Sequence, residues 1–160
     1  MKKIASFTVN HIDLLRGVYV SRKDVVANEH ILTTFDIRMK RPNLEPVINN
    51  GELHTIEHLA ATFLRNHEVW DEKTVYFGPM GCRTGVYVIF KGDLNPLDVL
   101  PIITEMFQFI ADFEGDIPGA TARDCGNYLD MNLPMAKFEA KKFLEEVLTN
   151  IKEENMIYPK

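Results

Sequence analysis

"ILTTFDIRMKRPNLEPVINNGELHTIEHLAATFLRNH", residues 31–67, changes its hydrophobic period part-way along. From Ile31 to Lys40 apolar and polar residues alternate and β-branched side chains recur. That is the pattern of a half-buried strand, and "RPN" at 41–43 ends it. After the breaker Asn49-Asn50-Gly51 the repeat lengthens to that of a helix, expected from about Leu53 to Asn66. One stretch therefore supplies both layers of a mixed fold.

The same two periods recur outward from it. "TVYFG" and "TGVYVIFKG" are expected as strands flanking the glycine-rich turn at 78–85, with "SFTVN" and "VYVS" as shorter strands near the start. Asn95-Pro96 sets a capping residue before a proline at the first helical position, opening a helix to about Phe113. "GDIPGAT" reads as loop, and "PMAKFEAKKFLEEVLTNIKEEN" as a last amphipathic helix. Its inward stripe is expected to be Phe138, Phe143, Leu144, Val147, Leu148 and Ile151. The expected fold is α+β, one domain over residues 1–160, with a largely antiparallel sheet packed against helices on one face.

Charge and composition narrow the function. Hydrophobic residues make up 46% of the 160, enough for a real core. The balance of 18 basic to 23 acidic residues, with no Lys/Arg cluster longer than three, argues against nucleic acid or an anionic membrane surface as partner. No apolar run is long enough to span a bilayer, and "MKKIASFTVNHIDLL" lacks the apolar core and cleavage site of a secretory leader. A cytoplasmic location is expected. In a reducing compartment the two cysteines, Cys82 and Cys125, are expected as free thiols, for chemistry or metal ligation, rather than as a disulfide.

The helix at 53–66 carries the clearest chemical signal. With His54 at zero on a helical wheel, Glu57 falls at roughly −60° and His58 at roughly +40°. Leu53, Ile56, Leu59, Ala60, Phe63 and Leu64 occupy the opposite side. Imidazoles one turn apart can reach one ion, and Ala61 leaves room beneath them. An ordinary solvated face would look similar, but the glutamate just before the second histidine gives the His-x-x-Glu-His spacing of inverted zinc peptidases. Two ligands do not hold a catalytic metal. The third is open among His11, His30, His67, Cys82, Cys125 and the carboxylates. A thiolate there would suit Zn2+ or Fe2+ and would leave the other cysteine free as a base or nucleophile.

"GPMGCRTG" at 78–85 has two readings. Gly78, Gly81 and Gly85 could let backbone approach a ligand with Cys82 at the tip, or the segment is a turn joining two strands. It is not a phosphate-binding loop of known pattern. Metal-assisted chemistry without a nicotinamide or flavin is expected.

Five segments then resemble one family in order and over essentially the full length. They are "SFTVNH" at 6–11, "FDIRMKRPN" at 35–43, "HTIEHLAATFLRNH" at 54–67, "GPMGCRTG" at 78–85 and "CGNY" at 125–128. The chain resembles the S-ribosylhomocysteine lyase family, the LuxS proteins. The resemblance implies that His54, His58 and Cys125 bind one divalent metal per subunit, with Fe2+ as the physiological ion and Zn2+ or Co2+ as substitutes. It makes Glu57 and Cys82 the acid/base pair. It gives Ser6, Phe7 and His11 a part in closing the pocket from a partner subunit, and Arg38 a part in substrate binding. It further implies a homodimer with active sites at the interface. The implied reaction cleaves S-ribosyl-L-homocysteine to L-homocysteine and 4,5-dihydroxy-2,3-pentanedione, the autoinducer-2 precursor used in quorum sensing, as a step of the methyl cycle. Two departures stand out. Tyr76, Phe77 and Gly78 occupy positions where many members have an acidic residue and a serine, and "RGVYVSRK" lacks a common proline.

Two other readings of the helix are a small metallopeptidase with Glu57 activating a metal-bound water, and a non-catalytic metal-binding module. The first leaves Cys82 without a job and needs more chain for a cleft. The second wants four protein ligands, yet no Cys-x-x-Cys pair exists.

Overall fold

A computed structural model describes residues 1–27 and 29–160. Four strands form one sheet: β1 (Gly17–Val26), β2 (His30–Arg38), β3 (Thr74–Pro79) and β4 (Gly85–Lys91). Their order is β1-β2-β4-β3, and every pair is antiparallel. Among the described residues three α-helices complete the domain: α1 (Asn50–Arg65), α2 (Pro96–Asp112) and α3 (Leu133–Glu146). The α+β reading with an antiparallel sheet holds. No helix among the described residues is long and apolar enough to cross a membrane.

Alternation along the strands divides the sheet into two unlike faces. Val18, Phe35, Ile37, Val86, Val88 and Phe90 point one way into a core shared with Ile56 and Leu59 of α1, Ile103 and Phe107 of α2, and Ala140 and Phe143 of α3. Asp36, Arg38 and Tyr87 belong to the alternate positions and face the other way. The helices therefore cover one face, and the opposite face carries polar side chains.

Several boundaries differ from the sequence expectation. "SFTVN" is not a strand: Ala5–Phe7 is a 3-10 turn, followed by a turn and a bend at Thr8 and Val9. The Asn10 side-chain oxygen accepts from the N–H groups of Ile12 and Asp13, a local turn that competes with sheet pairing. "VYVS" grows into the ten-residue β1, because a register shift between Val20 and Arg22 lets the strand continue past Ser21. Helix α1 starts a turn earlier than Leu53, with the Asn49 carbonyl accepting from Leu53 N–H.

The last helix is shorter than its apolar pattern. It ends at Glu146, followed by 3-10 turns at Leu148–Asn150 and Glu153–Asn155 that lay the tail against β1. There the Asn155 amide donates to the Arg16 carbonyl. The inward stripe of α3 is Ala136, Ala140, Phe143 and Leu144. Phe138 lies on the other side and is 55% exposed. Small alanines in the stripe let α3 approach α2 closely, which the search for large apolar residues overlooks.

Candidate active site

The metal-site expectation begins with α1. Gly51, inside its first turn, gives its carbonyl to Asn132 N–H and to the Thr55 hydroxyl, and Thr55 Oγ1 accepts from Asn132 N–H in turn. These bonds seat the segment before α3 on the helix. The same segment aims the Asp130 carbonyl at His54 Nδ1, 3.0 Å away. His58 Nδ1 meets the Pro118 carbonyl at 2.7 Å. A carbonyl only accepts, so each Nδ1 carries a hydrogen and Nε2 is the ring nitrogen left to bind an ion.

Cys125 comes to the same place from the loop between α2 and α3. Its sulfur lies 3.4 Å from His54 Nε2. The ligand atoms of His54, His58 and Cys125 all fall within 4.8 Å of one another, and each residue is half-buried. Two imidazoles with their tautomers fixed and one convergent sulfur are a donor set that fits a borderline divalent ion such as Fe2+, Zn2+ or Co2+. Glu57 sits beside this trio. It lines a cavity of about 560 Å³ together with His54, Met80, Gly81, Arg83 and Asp130.

Cys82 lines a neighbouring cavity instead. A second cavity of about 230 Å³ is lined by Ser6, Phe7, His11, Arg38, Met80, Gly81, Cys82 and Tyr158, among others. Met80 and Gly81 thus border both cavities, with Glu57 in one and Cys82 in the other. In this chain Ser6, Phe7 and His11 stand against their own Arg38 and Cys82.

The strand–turn–strand at 74–91 explains why Cys82 and Arg38 meet. Between β3 and β4 the Arg83 N–H donates to the Met80 carbonyl, and Arg83 takes φ of +59°. A Cβ on Gly85 would stand 2.1 Å from the Ile37 carbonyl oxygen, so only glycine lets β2 and β4 close up here. That approach brings Arg38 to the turn. Its Nε and Nη2 hold the two oxygens of buried Asp36, at 3.1 and 2.5 Å, while Nη1 reaches Thr84 Oγ1 at 2.6 Å and Cys82 Sγ at 3.7 Å. Thr84 Oγ1 lies 3.1 Å from the same sulfur.

Tyr158, from the tail, donates to Asp36 at 2.8 Å and stacks on Tyr19 with ring centroids 4.8 Å apart. Partial burial pushes the Cys82 thiol up, but hydrogen bonds from Thr84 and the charge of Arg38 outweigh it and leave the thiol below its ordinary value. Burial followed by the negative charge of Asp36 pushes the Tyr158 phenol upward, so it remains a donor.

Sequence reasoning missed Asp36, Thr84 and Tyr158. Asp36 could have been found, since it stands two residues from Arg38 on the same face of a strand, whereas Thr84 lies with Cys82 in a turn where alternation gives no guide. Tyr158 carries no such signal. The departure at 76–78 also gains a reason. A Cβ on Gly78 would stand 2.0 Å from the Tyr76 hydroxyl, so this tyrosine ring folds over the glycine and would have to move aside for a larger residue there.

The family described as S-Ribosylhomocysteinase (LuxS) matches residues 4–154. The chain belongs to the LuxS family. A LuxS relative from Clostridium beijerinckii, named S-ribosylhomocysteine lyase, is 65% identical over 159 residues and covers 99% of each chain. One of the same name from Phocaeicola vulgatus is 60% identical, covering 99% of this chain and 98% of its own. A third, from Porphyromonas gingivalis, is 58% identical over 99% of both.

Proposed function

We propose that this LuxS chain is a metal-dependent carbon–sulfur lyase. Its substrate is S-ribosyl-L-homocysteine, and its products are L-homocysteine and 4,5-dihydroxy-2,3-pentanedione, the precursor of autoinducer-2. The observation that carries this reading is the convergence of His54, His58 and Cys125 in a chain matched end to end by relatives of that name.

The chemistry asks for two kinds of proton transfer. In the open-chain sugar the carbonyl moves from C1 to C2 to C3, each move taking a proton from one carbon and returning one to its neighbour. With the carbonyl at C3, loss of the C4 proton expels the sulfur from C5, and that sulfur leaves with a proton. Cys82, with its lowered thiol and Arg38 beside it, is suited to take and return the carbon protons. Glu57, beside His54, is suited to move hydroxyl protons and to protonate the departing sulfur. Arg38, held by Asp36, presents fixed positive charge to the cavity, and Ser6 and His11 line its walls. When a divalent ion is bound by His54, His58 and Cys125, it supplies a Lewis acid for the sugar oxygens. Fe2+, Zn2+ and Co2+ all suit that donor set, and we take Fe2+ as the ion used.

The working form we propose is a homodimer with two composite sites, in the cytoplasm. Cys82 and Glu57 line separate cavities that share Met80 and Gly81. Joining the Cys82 half of one subunit to the metal half of its partner would bring the acid/base pair together. Ser6, Phe7 and His11 then close the pocket across the interface.

Purified protein loaded with Fe2+ or Co2+ is expected to release free thiol from S-ribosylhomocysteine in a colorimetric assay, and His58→Ala to abolish it. Peptide cleavage without thiol release would instead support a metallopeptidase.

A further inference from the structure

Thr84 is 4% exposed and carries one hydroxyl hydrogen. Its oxygen already accepts from Arg38 Nη1 at 2.6 Å, and a guanidinium has nothing with which to accept in return. Arg38 cannot turn away, because its Nε and Nη2 are engaged by Asp36, and the Asp36 carboxylate is steadied by the Tyr158 hydroxyl. The neighbour left for the Thr84 hydrogen is Cys82 Sγ, 3.1 Å distant. Were the sulfur to keep its own proton and donate it, the buried hydroxyl hydrogen would have no acceptor among these contacts. The Thr84 backbone N–H favours the ionised sulfur as well. Thr84 itself is fixed from behind, its carbonyl accepting from both Met39 and Lys40 N–H groups at 2.9 Å.

We propose that Thr84 is a positioning residue whose hydroxyl, oriented by Arg38, holds the Cys82 sulfur as a hydrogen-bond acceptor and so keeps it as the thiolate that removes carbon protons. The proposal rests on the reading of Cys82 as the carbon-proton base. It is physically separable from it, because the state of the sulfur can be read without turnover. The titratable and charged groups facing the sulfur are Asp36 and Arg38 from β2, Tyr87 from β4, His11 from the N-terminal segment and Tyr158 from the tail, with Arg83 adjacent in the turn. Of these, Arg38 contacts both the sulfur and the hydroxyl.

The test measures alkylation by iodoacetamide at the Cys82 peptide as a function of pH, by mass spectrometry, on the metal-loaded protein. Thr84→Val keeps the backbone donor and removes the hydroxyl. It should raise the midpoint by about one to two pH units and slow alkylation roughly 10- to 100-fold on the acid side. Thr84→Ser should restore the wild-type midpoint, and the acid limb of kcat/KM for thiol release should move with it. An unchanged midpoint in a folded Thr84→Val overturns the proposal, and Thr84→Ala carries the same expectation should valine prevent folding. A wild-type midpoint at the ordinary thiol value overturns it without any variant. If the midpoint shifts as expected while no thiol is released from S-ribosylhomocysteine, the positioning role stands and the lyase reading falls.

Discussion

His58 and Pro118 join α1 to the loop that carries Cys125 through one bond of 2.7 Å between ring nitrogen and carbonyl oxygen. Gly119, the next residue, sits at φ +71°, and a Cβ there would touch His58 Nδ1 at 3.4 Å. Gly119→Ala would strain the left-handed backbone and shift the carbonyl that orients the imidazole. Metal affinity should fall by roughly tenfold with little change in fold. Competition against a chromophoric chelator measures it, and an unchanged affinity would show that the carbonyl does not tune His58.

Mixing inactive variants examines the composite site. Cys82→Ala and His58→Ala homodimers should each be inactive. After subunit exchange in equal amounts, half the dimers pair the two variants, and each of those has one intact site out of two. Activity should return to about one quarter of wild type per total protein. No recovery, under conditions where exchange is demonstrated, would mean that each chain builds its site alone.

The lowered Cys82 thiol has a definite sign in pH. A group whose folded value lies below its unfolded one stabilises the fold above the unfolded value, and this contribution is lost as pH falls through the folded value. Thiolate-dependent activity should follow the same window, persisting below the ordinary thiol range and then declining with acid. Arg38→Lys keeps the charge, yet one ammonium cannot serve both oxygens of Asp36 and the Thr84 hydroxyl. The acid limb of kcat/KM should move up by roughly one unit.

Lys40 and Glu139 form an ion pair 2.6 Å long with side chains only 7% and 12% exposed. Removing one partner leaves the other charge buried without compensation. Lys40→Met should cost about 3 kcal/mol in urea unfolding, whereas Lys40→Met with Glu139→Leu should recover most of it. Similar losses for the single and double variants would place the stability in the lysine stem rather than in the pair.

Periodicity made most of this fold legible. The switch from alternation at 31–40 to a helical repeat at 53–66 fixed β2 and α1 within a few residues. It failed where a side chain or a tertiary contact overrode it. A 3-10 turn takes the place of the strand expected at "SFTVN", and the tail after the last helix lies against β1. The same limit applies to the site. The His-x-x-Glu-His spacing on α1 pointed to ligands, but the choice between Cys82 and Cys125 as third donor came only from the family resemblance. Spacing says nothing about a loop folding back from position 125 to His54. The carbonyls of Pro118 and Asp130 are backbone groups, so no residue type could have announced them.

The electronic setting of Cys82 carries a liability outside the reaction. An exposed sulfur held as thiolate is also the form that peroxide attacks most readily. Oxidation first to the sulfenic acid, then irreversibly to the sulfinic, would remove the base while leaving the trio around His54 chemically distinct. Cys125 belongs to that trio, whose ligand atoms lie within 4.8 Å of one another. The cell's peroxide load, rather than the protein's thermal stability, would then set the working lifetime of each molecule.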